Sequence, residues 1–99
     1  MSKRTDWTSL RDDRMREPGA REAYQAVQLA YELGRRIRQL REDRGWSQSE
    51  LARAARMSQP SVARFEAGGT IPTIPVVGRL ARALGAELIV QVEARPDVA

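Results

Sequence analysis

Apolar side chains recur at alternating intervals of three and four residues after a polar start. The positions are Ala23, Ala26, Ala30, Leu33, Ile37 and Leu40. This spacing places them along one side of an α-helix, so it predicts a helix over residues 20 to about 43. At about 1.5 Å per residue such a helix is about 36 Å long, which is longer than a small bundle needs. We therefore predict that one end of it projects.

Two features of this predicted helix leave alternatives open. Tyr24, Val27 and Tyr31 form a second apolar strip in its N-terminal half, which would face either a partner or the protein's own N-terminal tail. Gly34 lies in mid-helix, where glycine costs roughly 1 kcal/mol relative to alanine. Either a close packing contact or a slight bend would explain this glycine.

A second, short helix is predicted over residues 48 to about 56. Ser47 and Glu50 have the spacing of a capping box, in which each side chain accepts from the other residue's backbone N–H. Trp46 before the cap and Leu51 after it fit a hydrophobic staple. The predicted buried side of this helix is Leu51, Ala52 and Ala55.

Two more helices follow, each with a polar cap and an early proline. Ser58 and Thr73 are the predicted N-caps, and Pro60 and Pro75 lie in the first turns, where a missing N–H does no harm. Glycines follow the last apolar position of each helix, as at many helix C-termini. The predicted inward positions are Val62, Phe65 and Glu66 in the third helix and Val77, Leu80, Ala81 and Leu84 in the fourth.

Residues 87–92 alternate in a way that is typical of a short β-strand, the only strand signal in the sequence. A lone strand leaves its backbone groups unpaired, so we predict a second copy of the chain as the antiparallel partner. The predicted dimerisation residues are Leu88, Ile89, Val90 and Val92. The alternative is an irregular tail that caps the bundle.

Together these elements predict a mainly α fold. Residues 20–85 form a helix-turn-helix bundle with a long first helix, and residues 86–99 hold one C-terminal β-strand for dimer pairing and a tail. Residues 1–19 are polar and nearly balanced in charge. They are compatible with a mobile terminus or with a short helix over residues 9–17.

Composition narrows the function. The formal net charge of +4 favours polyanionic partners, nucleic acid before an anionic membrane. The chain has no Cys and no His, which excludes the common zinc sites, disulfides and catalysis by those residues. We therefore expect no enzyme, no metal and no cofactor. Since no membrane-length apolar run and no secretory signal are evident, we expect a cytoplasmic protein, associated with the nucleoid when bound to DNA.

Positive charge is concentrated between residues 34 and 64, where eight Arg oppose three acidic residues, a local balance of +5. This window contains two short helices joined by about three residues, which is the layout of a helix-turn-helix unit. The second helix of such a unit lies in the major groove of DNA, with its N-terminal end near the bases.

Several side chains in this unit suit DNA. Gln59 is suited to bidentate pairing with adenine, Arg64 to guanine or phosphate, and Ser61 to either kind of group. Phosphate contacts are expected at the start of the second helix and from its arginines. The full set of predicted DNA-binding residues is Gln48, Arg53, Arg56, Ser58, Gln59, Pro60, Ser61 and Arg64.

Residues 47–72 resemble the Cro/C1-type (XRE) helix-turn-helix family. The matching positions are Gln48, Leu51, Ala52, Ser58, Gln59, Val62, Arg64, Phe65, Glu66 and Gly68. The resemblance implies a lambda-repressor-like bundle and a palindromic operator. It also implies a structural ion pair between Arg41 and Glu66, which would tie the first helix to the recognition helix.

Over residues 6–94 the arrangement is also similar to HigA-type antitoxins, which are XRE proteins encoded beside a small RelE-like toxin. That resemblance implies an autorepressor whose first helix helps to hold a RelE/HigB-like toxin, and it makes Tyr24, Val27 and Tyr31 the candidate toxin contacts. The alternatives are a stand-alone XRE-family, phage-repressor-like regulator without a toxin, and an interaction module whose motif no longer binds DNA.

Two positions depart from the family's pattern. Arg56 stands in the turn where the family often has glycine, and a left-handed backbone there costs roughly 1 kcal/mol. Pro60 replaces a residue that often reads a base. Base specificity is therefore expected to rest more on Gln59, Ser61 and Arg64.

Overall fold

The computed structural model describes residues 18–96, and four helices make up the regular structure of that part of the chain. They are α1 (Ala20–Asp43), α2 (Gln48–Ala55), α3 (Gln59–Glu66) and α4 (Ile74–Ala83). The predicted helix over residues 9–17, and most of the polar segment 1–19, lie outside the described residues.

The core lies where the apolar sides of the four helices meet. Helix α3 packs against α1 and α2, and α2 also packs against α4. Leu51, Val62 and Leu80, from three different helices, are fully buried. The remaining buried members of the cluster are Ile37, Ala52, Ala55, Phe65, Val77 and Leu84. The predicted buried sides of α2, α3 and α4 are therefore confirmed.

The N-terminal half of α1 projects from this core, as its length predicts. Residues 21–29 are all exposed, and burial begins at Ala30. Ala23 and Ala26, the first two positions of the apolar stripe, lie in this projecting half and are exposed. Of the other helices, α3 packs against α1, and the exposure of residues 21–29 shows that no described element covers these two alanines.

Gly34 marks the point where α1 and α3 come closest. A Cβ atom added there would lie 2.8 Å from the backbone oxygen of Glu66 and even closer to that of Phe65. Such distances leave no room for a methyl group. Close packing, rather than a bend, is therefore the reason for glycine in mid-helix.

The predicted caps form as local hydrogen bonds. The Ser47 N–H donates to Glu50 Oε1 at 2.6 Å, and the Glu50 N–H donates to Ser47 Oγ at 3.1 Å, which completes the capping box. Ser58 Oγ accepts from the backbone N–H of residue 61 at 3.2 Å. Thr73 Oγ1 accepts from the N–H of residue 76 at 3.4 Å. These side chains satisfy N–H groups that the helices themselves leave unpaired.

The predicted C-terminal strand is not seen, since residues 86–95 have no regular secondary structure in the single chain. A strand needs a second strand for its hydrogen bonds, and residues 18–96 supply none. Leu88 packs against the core, whereas Ile89, Val90 and Val92 are 77%, 62% and 95% exposed. Of the four predicted dimerisation residues, Leu88 thus packs within the single chain, whereas the other three face solvent.

Residues 18–96 contain neither a membrane-spanning helix nor a cluster of metal-binding side chains. None of their helices has the length and apolar character needed to cross a bilayer. Within the same range, no three acidic, His or Cys side chains converge on a point where a metal ion could bind.

Candidate nucleic-acid interface

The turn between α2 and α3 is built on a strained residue. Helix α2 ends at Ala55, one residue earlier than predicted, and Arg56 follows with φ 59° and ψ 47°. Arg56 is the only residue other than glycine with a positive φ in residues 18–96. The next N–H, from Met57, donates to the Ala52 carbonyl at 2.8 Å and closes the turn. A left-handed backbone costs an arginine about 1 kcal/mol relative to glycine, which has no Cβ atom to clash.

Helix α3 has one face in the core and one in solvent. Val62, Phe65 and Glu66 are 0%, 4% and 6% exposed, so they face inward. Arg64 lies between them in sequence and is exposed. The Arg64 guanidinium makes no hydrogen bond or ion pair with another residue of the 18–96 range, which leaves its donors available to an external acceptor.

The side chains on the outer face of α3 are short or flat. Gln59 and Pro60 are exposed, and Ser61 and Ala63 are half-buried. The Ser58 hydroxyl donates to Ser61 Oγ at 2.8 Å, which holds both hydroxyls near the N-terminus of the helix. Because these side chains are small or flat, the helix can approach a surface as closely as the major groove requires.

An ion pair holds α3 in place from behind. Arg41 Nε donates to Glu66 Oε2 at 2.7 Å, and Arg41 Nη2 donates to Glu66 Oε1 at 2.9 Å. The side chains are 11% and 3% exposed. Arg41 Nη1 also donates to the Trp46 carbonyl at 2.8 Å. The structure thus brings Arg41 and Glu66 together in the pair that the XRE resemblance implies, and the pair links α1, the loop before α2, and the end of α3.

The hydrogen bonds of this pair raise the pKa of Arg41. The largest cause is its side-chain hydrogen bond with Glu66, burial acts in the opposite direction, and the negative charges of Glu66 and Glu42 add to the rise. A bidentate contact of this kind fixes the angle between two helices more firmly than apolar packing, because both donors and both acceptors must align.

Two glutamines extend the ion pair to the outer surface. Gln48 Nε2 donates to Glu66 Oε1 at 3.1 Å, and Gln59 Nε2 donates to Gln48 Oε1 at 2.8 Å. Both glutamines are predicted DNA contacts, but this link between them is not predicted from the sequence. The signal available was their place as the first residues of consecutive helices, whose N-termini meet in a helix-turn-helix unit.

The other predicted DNA-binding residues are also in this unit. Arg53 is exposed near the end of α2, and Arg56 is exposed in the turn. Of the eight candidates, the structure links Gln48 to Gln59 and Ser58 to Ser61 by side-chain hydrogen bonds. Gln48 is half-buried, and its side chain makes two hydrogen bonds.

A groove with balanced charge lies next to this unit, between α1 and the C-terminal end of α3. Three arginines and three glutamates line it, and the lining residues are Tyr31, Glu32, Arg35, Arg36, Arg38, Gln39, Glu42, Glu66 and Ala67. Arg38 Nε pairs with Glu42 at 3.0 Å, and the Arg35 guanidinium lies 6.0 Å from the centre of the Tyr31 ring. The concentration of arginine before residue 44 is the sequence signal for this groove.

The candidate toxin contacts begin at this groove, which Tyr31 also lines, and continue along the projecting half of α1. Tyr24, Val27 and Tyr31 are 42%, 67% and 54% exposed along the N-terminal half and middle of α1. Gly68 packs against the backbone at Tyr31, where an added Cβ would lie 3.0 Å from the tyrosine Cα. The strip is therefore continuous with the end of the recognition helix at one end and projects into solvent at the other.

Comparison with known proteins gives one match. A family model described as a helix-turn-helix domain matches residues 32–94, which include the second half of α1, the whole of α2 to α4 and most of the C-terminal segment. No curated protein and no solved structure matches the chain. The match agrees with the XRE-type resemblance and does not extend to HigA-type antitoxins. Because it covers well over half of the chain, the chain belongs to the helix-turn-helix domain family.

Proposed function

We propose that this chain is a sequence-specific, double-stranded DNA-binding regulator that acts through α3. The proposal rests on the two faces of that helix, one buried in the core and one exposed to solvent. Val62, Phe65 and Glu66 anchor it in the core, and Arg64 is presented to solvent with its donors free of other described residues. Membership of the helix-turn-helix domain family supports the same placement of α3 in a major groove.

Within this proposal the side chains divide by their chemistry. Gln59 and Arg64 read base edges, and Ser61 supports them with a hydroxyl that donates or accepts. Pro60 contributes an apolar surface, which suits a thymine methyl group. Phosphate contacts come from both sides of the turn, and the residues proposed for them are Gln48, Arg53, Arg56 and Ser58.

We further propose that the chain works as a homodimer that represses transcription by occupying a palindromic operator. Support comes from Ile89, Val90 and Val92, whose exposed apolar side chains lie in a segment with unpaired backbone groups. Pairing of two such segments about a two-fold axis would bury the apolar side chains and supply hydrogen bonds to the backbone groups. The two copies of α3 would then enter the major groove about 34 Å apart, one helical turn of DNA.

The antitoxin role is proposed on the exposed strip of α1. Tyr24, Val27 and Tyr31 present aromatic and apolar surface on a helix half that no described element covers. Aromatic side chains of this kind are enriched at protein interfaces. Coexpression with the neighbouring gene tests this role: a small RelE/HigB-like protein that copurifies supports it, and a chain that represses a distant promoter alone supports the stand-alone regulator instead.

DNA binding itself is tested by fluorescence anisotropy on a duplex selected from a random pool. We expect salt-dependent binding, and we expect Arg64→Ala to lose roughly 1–3 kcal/mol on the selected duplex and less on a scrambled one. Arg79→Ala, an exposed arginine of α4, is the matched control for lost charge. Absence of a salt-dependent complex with any duplex would contradict the proposal.

A further inference from the structure

The C-terminal segment (residues 86–95) leaves the helical bundle at a point that Arg44 holds. Arg44 is the C-cap of α1, and its guanidinium reaches the end of α4, where Nη1 donates to the Leu84 carbonyl at 3.3 Å. We infer that Arg44, stacked on Trp46, is a positioning residue that fixes the direction in which this segment leaves the bundle and so sets the spacing of the two half-sites that a dimer accepts. The inference rests on the proposed function, since it concerns a homodimer on a palindromic operator.

An aromatic ring holds the guanidinium from its other side. The Arg44 Cζ atom lies 4.3 Å from the centre of the Trp46 ring, which is within the range of a cation–π contact. That ring is itself fixed, because Trp46 packs against the core and its carbonyl accepts from Arg41 Nη1 at 2.8 Å. Trp46 also directly precedes Ser47, the N-cap of α2. Arg44 therefore links a fixed point beside the helix-turn-helix unit to the last turn of α4.

The turn after α4 decides where the chain goes next. Gly85 has φ 72°, a left-handed backbone that turns the chain out of the helix. Its N–H donates to the Arg82 carbonyl at 3.0 Å, and the Ala86 N–H donates to the Ala81 carbonyl at 2.8 Å, a pattern that closes many helix C-termini. A Cβ atom added at Gly85 would lie 3.2 Å from Arg44 Nη1, so the guanidinium lies against this turn. The cation also faces the negative end of the helix dipole, which favours it there.

The contacts of Arg44 resist opening of this turn. The last turn of a helix frays readily, because water competes for its exposed hydrogen-bonding groups. Here fraying also requires the guanidinium to leave the Leu84 carbonyl. A second anchor follows at Leu88, which packs against the core. Two fixed points define a direction, whereas Leu88 alone would allow the segment to pivot.

A small pivot is enough to matter for DNA. The extended chain from residue 85 to residue 92 spans about 23 Å, so a swing of about 10° at its start moves its far end by about 4 Å. The rise of one base pair is about 3.4 Å. Because the proposed dimer pairs through this segment, the direction in which it leaves the bundle determines the distance between the two copies of α3.

The first measurement needs no DNA. Amide hydrogen exchange, followed by NMR, compares the wild-type chain with Arg44→Met, which keeps a long apolar side chain but removes the charge and the donors. We expect the Ala86 amide of the variant to exchange about fivefold faster relative to the Leu80 amide, in the middle of α4. A general loss of stability would accelerate both amides, so the ratio reports the turn itself.

The second measurement compares half-site spacings. Duplexes carry two copies of the selected half-site with the spacer lengthened one base pair at a time, and competition binding gives the relative affinity for each. Each added base pair changes both the distance and the rotation between half-sites, so a rigid dimer accepts few spacings. We expect the wild-type chain to prefer one spacing over its neighbours by about tenfold, and Arg44→Met to reduce that preference to about threefold or less.

Matched variants separate positioning from charge. Arg44→Lys keeps a cation for the Trp46 ring and a donor for the Leu84 carbonyl, so it should retain most of the spacing preference. Arg79→Met removes a charge from an exposed position of α4 and should leave the preference unchanged. Circular dichroism checks that each variant is folded, and sedimentation velocity checks that it is a dimer. If Arg44→Met does not fold, Arg44→Gln, which also lacks the charge, takes its place.

The outcomes distinguish this inference from the proposed function. If the wild-type dimer prefers one spacing and Arg44→Met keeps that preference, the inference is overturned and the proposed function stands. An unchanged ratio of Ala86 to Leu80 exchange also overturns it. If Arg44→Met binds every spacing more weakly by the same factor, Arg44 contributes charge alone and positions nothing. A wild-type chain that is monomeric, or that enriches no sequence, contradicts the proposed function and the inference together.

Discussion

Gly34 of α1 lies against the backbone carbonyl of Glu66, at the point where the recognition helix ends. The contact is so close that a methyl group at residue 34 would come within 2.8 Å of that oxygen. Since Glu66 also anchors the ion pair to Arg41, this one glycine controls both the distance between α1 and α3 and the position of the carboxylate. Helix α3 is thus placed by backbone contact as well as by charge.

Gly34→Ala is therefore expected to destabilise the fold. In an ordinary helix this change stabilises by about 1 kcal/mol, because alanine is the better helix former. Here overpacking against backbone should outweigh that gain, with a net loss of about 1–2 kcal/mol in the free energy of unfolding. Urea denaturation measures it. Ala26→Gly, in the exposed part of α1, gives the propensity effect alone, and a stabilised Gly34→Ala would contradict the packing account.

Removing one partner of the ion pair should lower the free energy of unfolding more than replacing both partners with apolar residues. Glu66→Leu leaves the Arg41 guanidinium buried without its partner, and a loss of about 3–5 kcal/mol is expected. The double variant Arg41→Met with Glu66→Leu should recover much of that loss, since it removes both charges. Chemical denaturation of the two single variants and the double variant gives the coupling free energy, and a double variant as unstable as the single ones would argue against the pair.

The raised pKa of Arg41 predicts how this pair responds to pH. A cation whose pKa is higher in the folded state contributes stability that is fully present below its ordinary, strongly basic pKa and is lost as pH rises through the raised value. Titration of Arg41 should therefore leave the melting temperature unchanged over roughly pH 6–9. A melting temperature that falls in this range in the wild type but not in the double variant would contradict this assignment.

Arg56 is predicted to trade stability for DNA affinity. Arg56→Gly relieves the left-handed backbone and should raise the free energy of unfolding by up to about 1 kcal/mol. The same change removes a proposed phosphate contact, so DNA affinity should fall on all sequences alike and the salt slope should shrink by about 1. Arg56→Ala removes the charge but keeps the strain. If Arg56→Gly binds DNA as tightly as the wild type, Arg56 is no phosphate contact.

The dimer proposal is tested without disturbing the core. Val90→Lys with Val92→Lys places two charges on side chains that are 62% and 95% exposed, whereas Leu88 keeps its contact with the core. Sedimentation velocity should show the wild type as a dimer and the variant shifted to monomer, because like charges would face each other across the two-fold axis. An unchanged dimer would reject pairing through this segment.

Local chemistry explains what the sequence could predict. The caps at Ser47, Ser58 and Thr73 depend on side chains within three residues of each helix start, so their pattern was enough to place α2, α3 and α4. The inward face of α3 followed from its periodicity. The left-handed backbone at Arg56 was anticipated only by comparison with a family that often has glycine there.

Tertiary contact explains what the sequence could not predict. The hydrogen bond between Gln48 and Gln59 requires the N-termini of two helices to meet. The spacing of residues in the sequence does not give the distance between those two N-termini. Gly34 allowed two interpretations until α3 was seen against it. The segment after residue 86 alternates like a strand, but a strand forms only with a partner strand, which residues 18–96 do not supply. Ala23 is exposed for a similar reason, because no other element of residues 18–96 covers it.

The most direct test of the account is an NMR titration of the ¹⁵N-labelled chain with its selected duplex. If α3 enters the major groove, the largest shifts should fall on the backbone amides of residues 56–64 and on the side-chain signals of Gln59 and Arg64. The amides of residues 21–29 should move least. Large shifts along the projecting half of α1, with residues 56–64 unchanged, would contradict the claim that α3 is the surface that binds DNA.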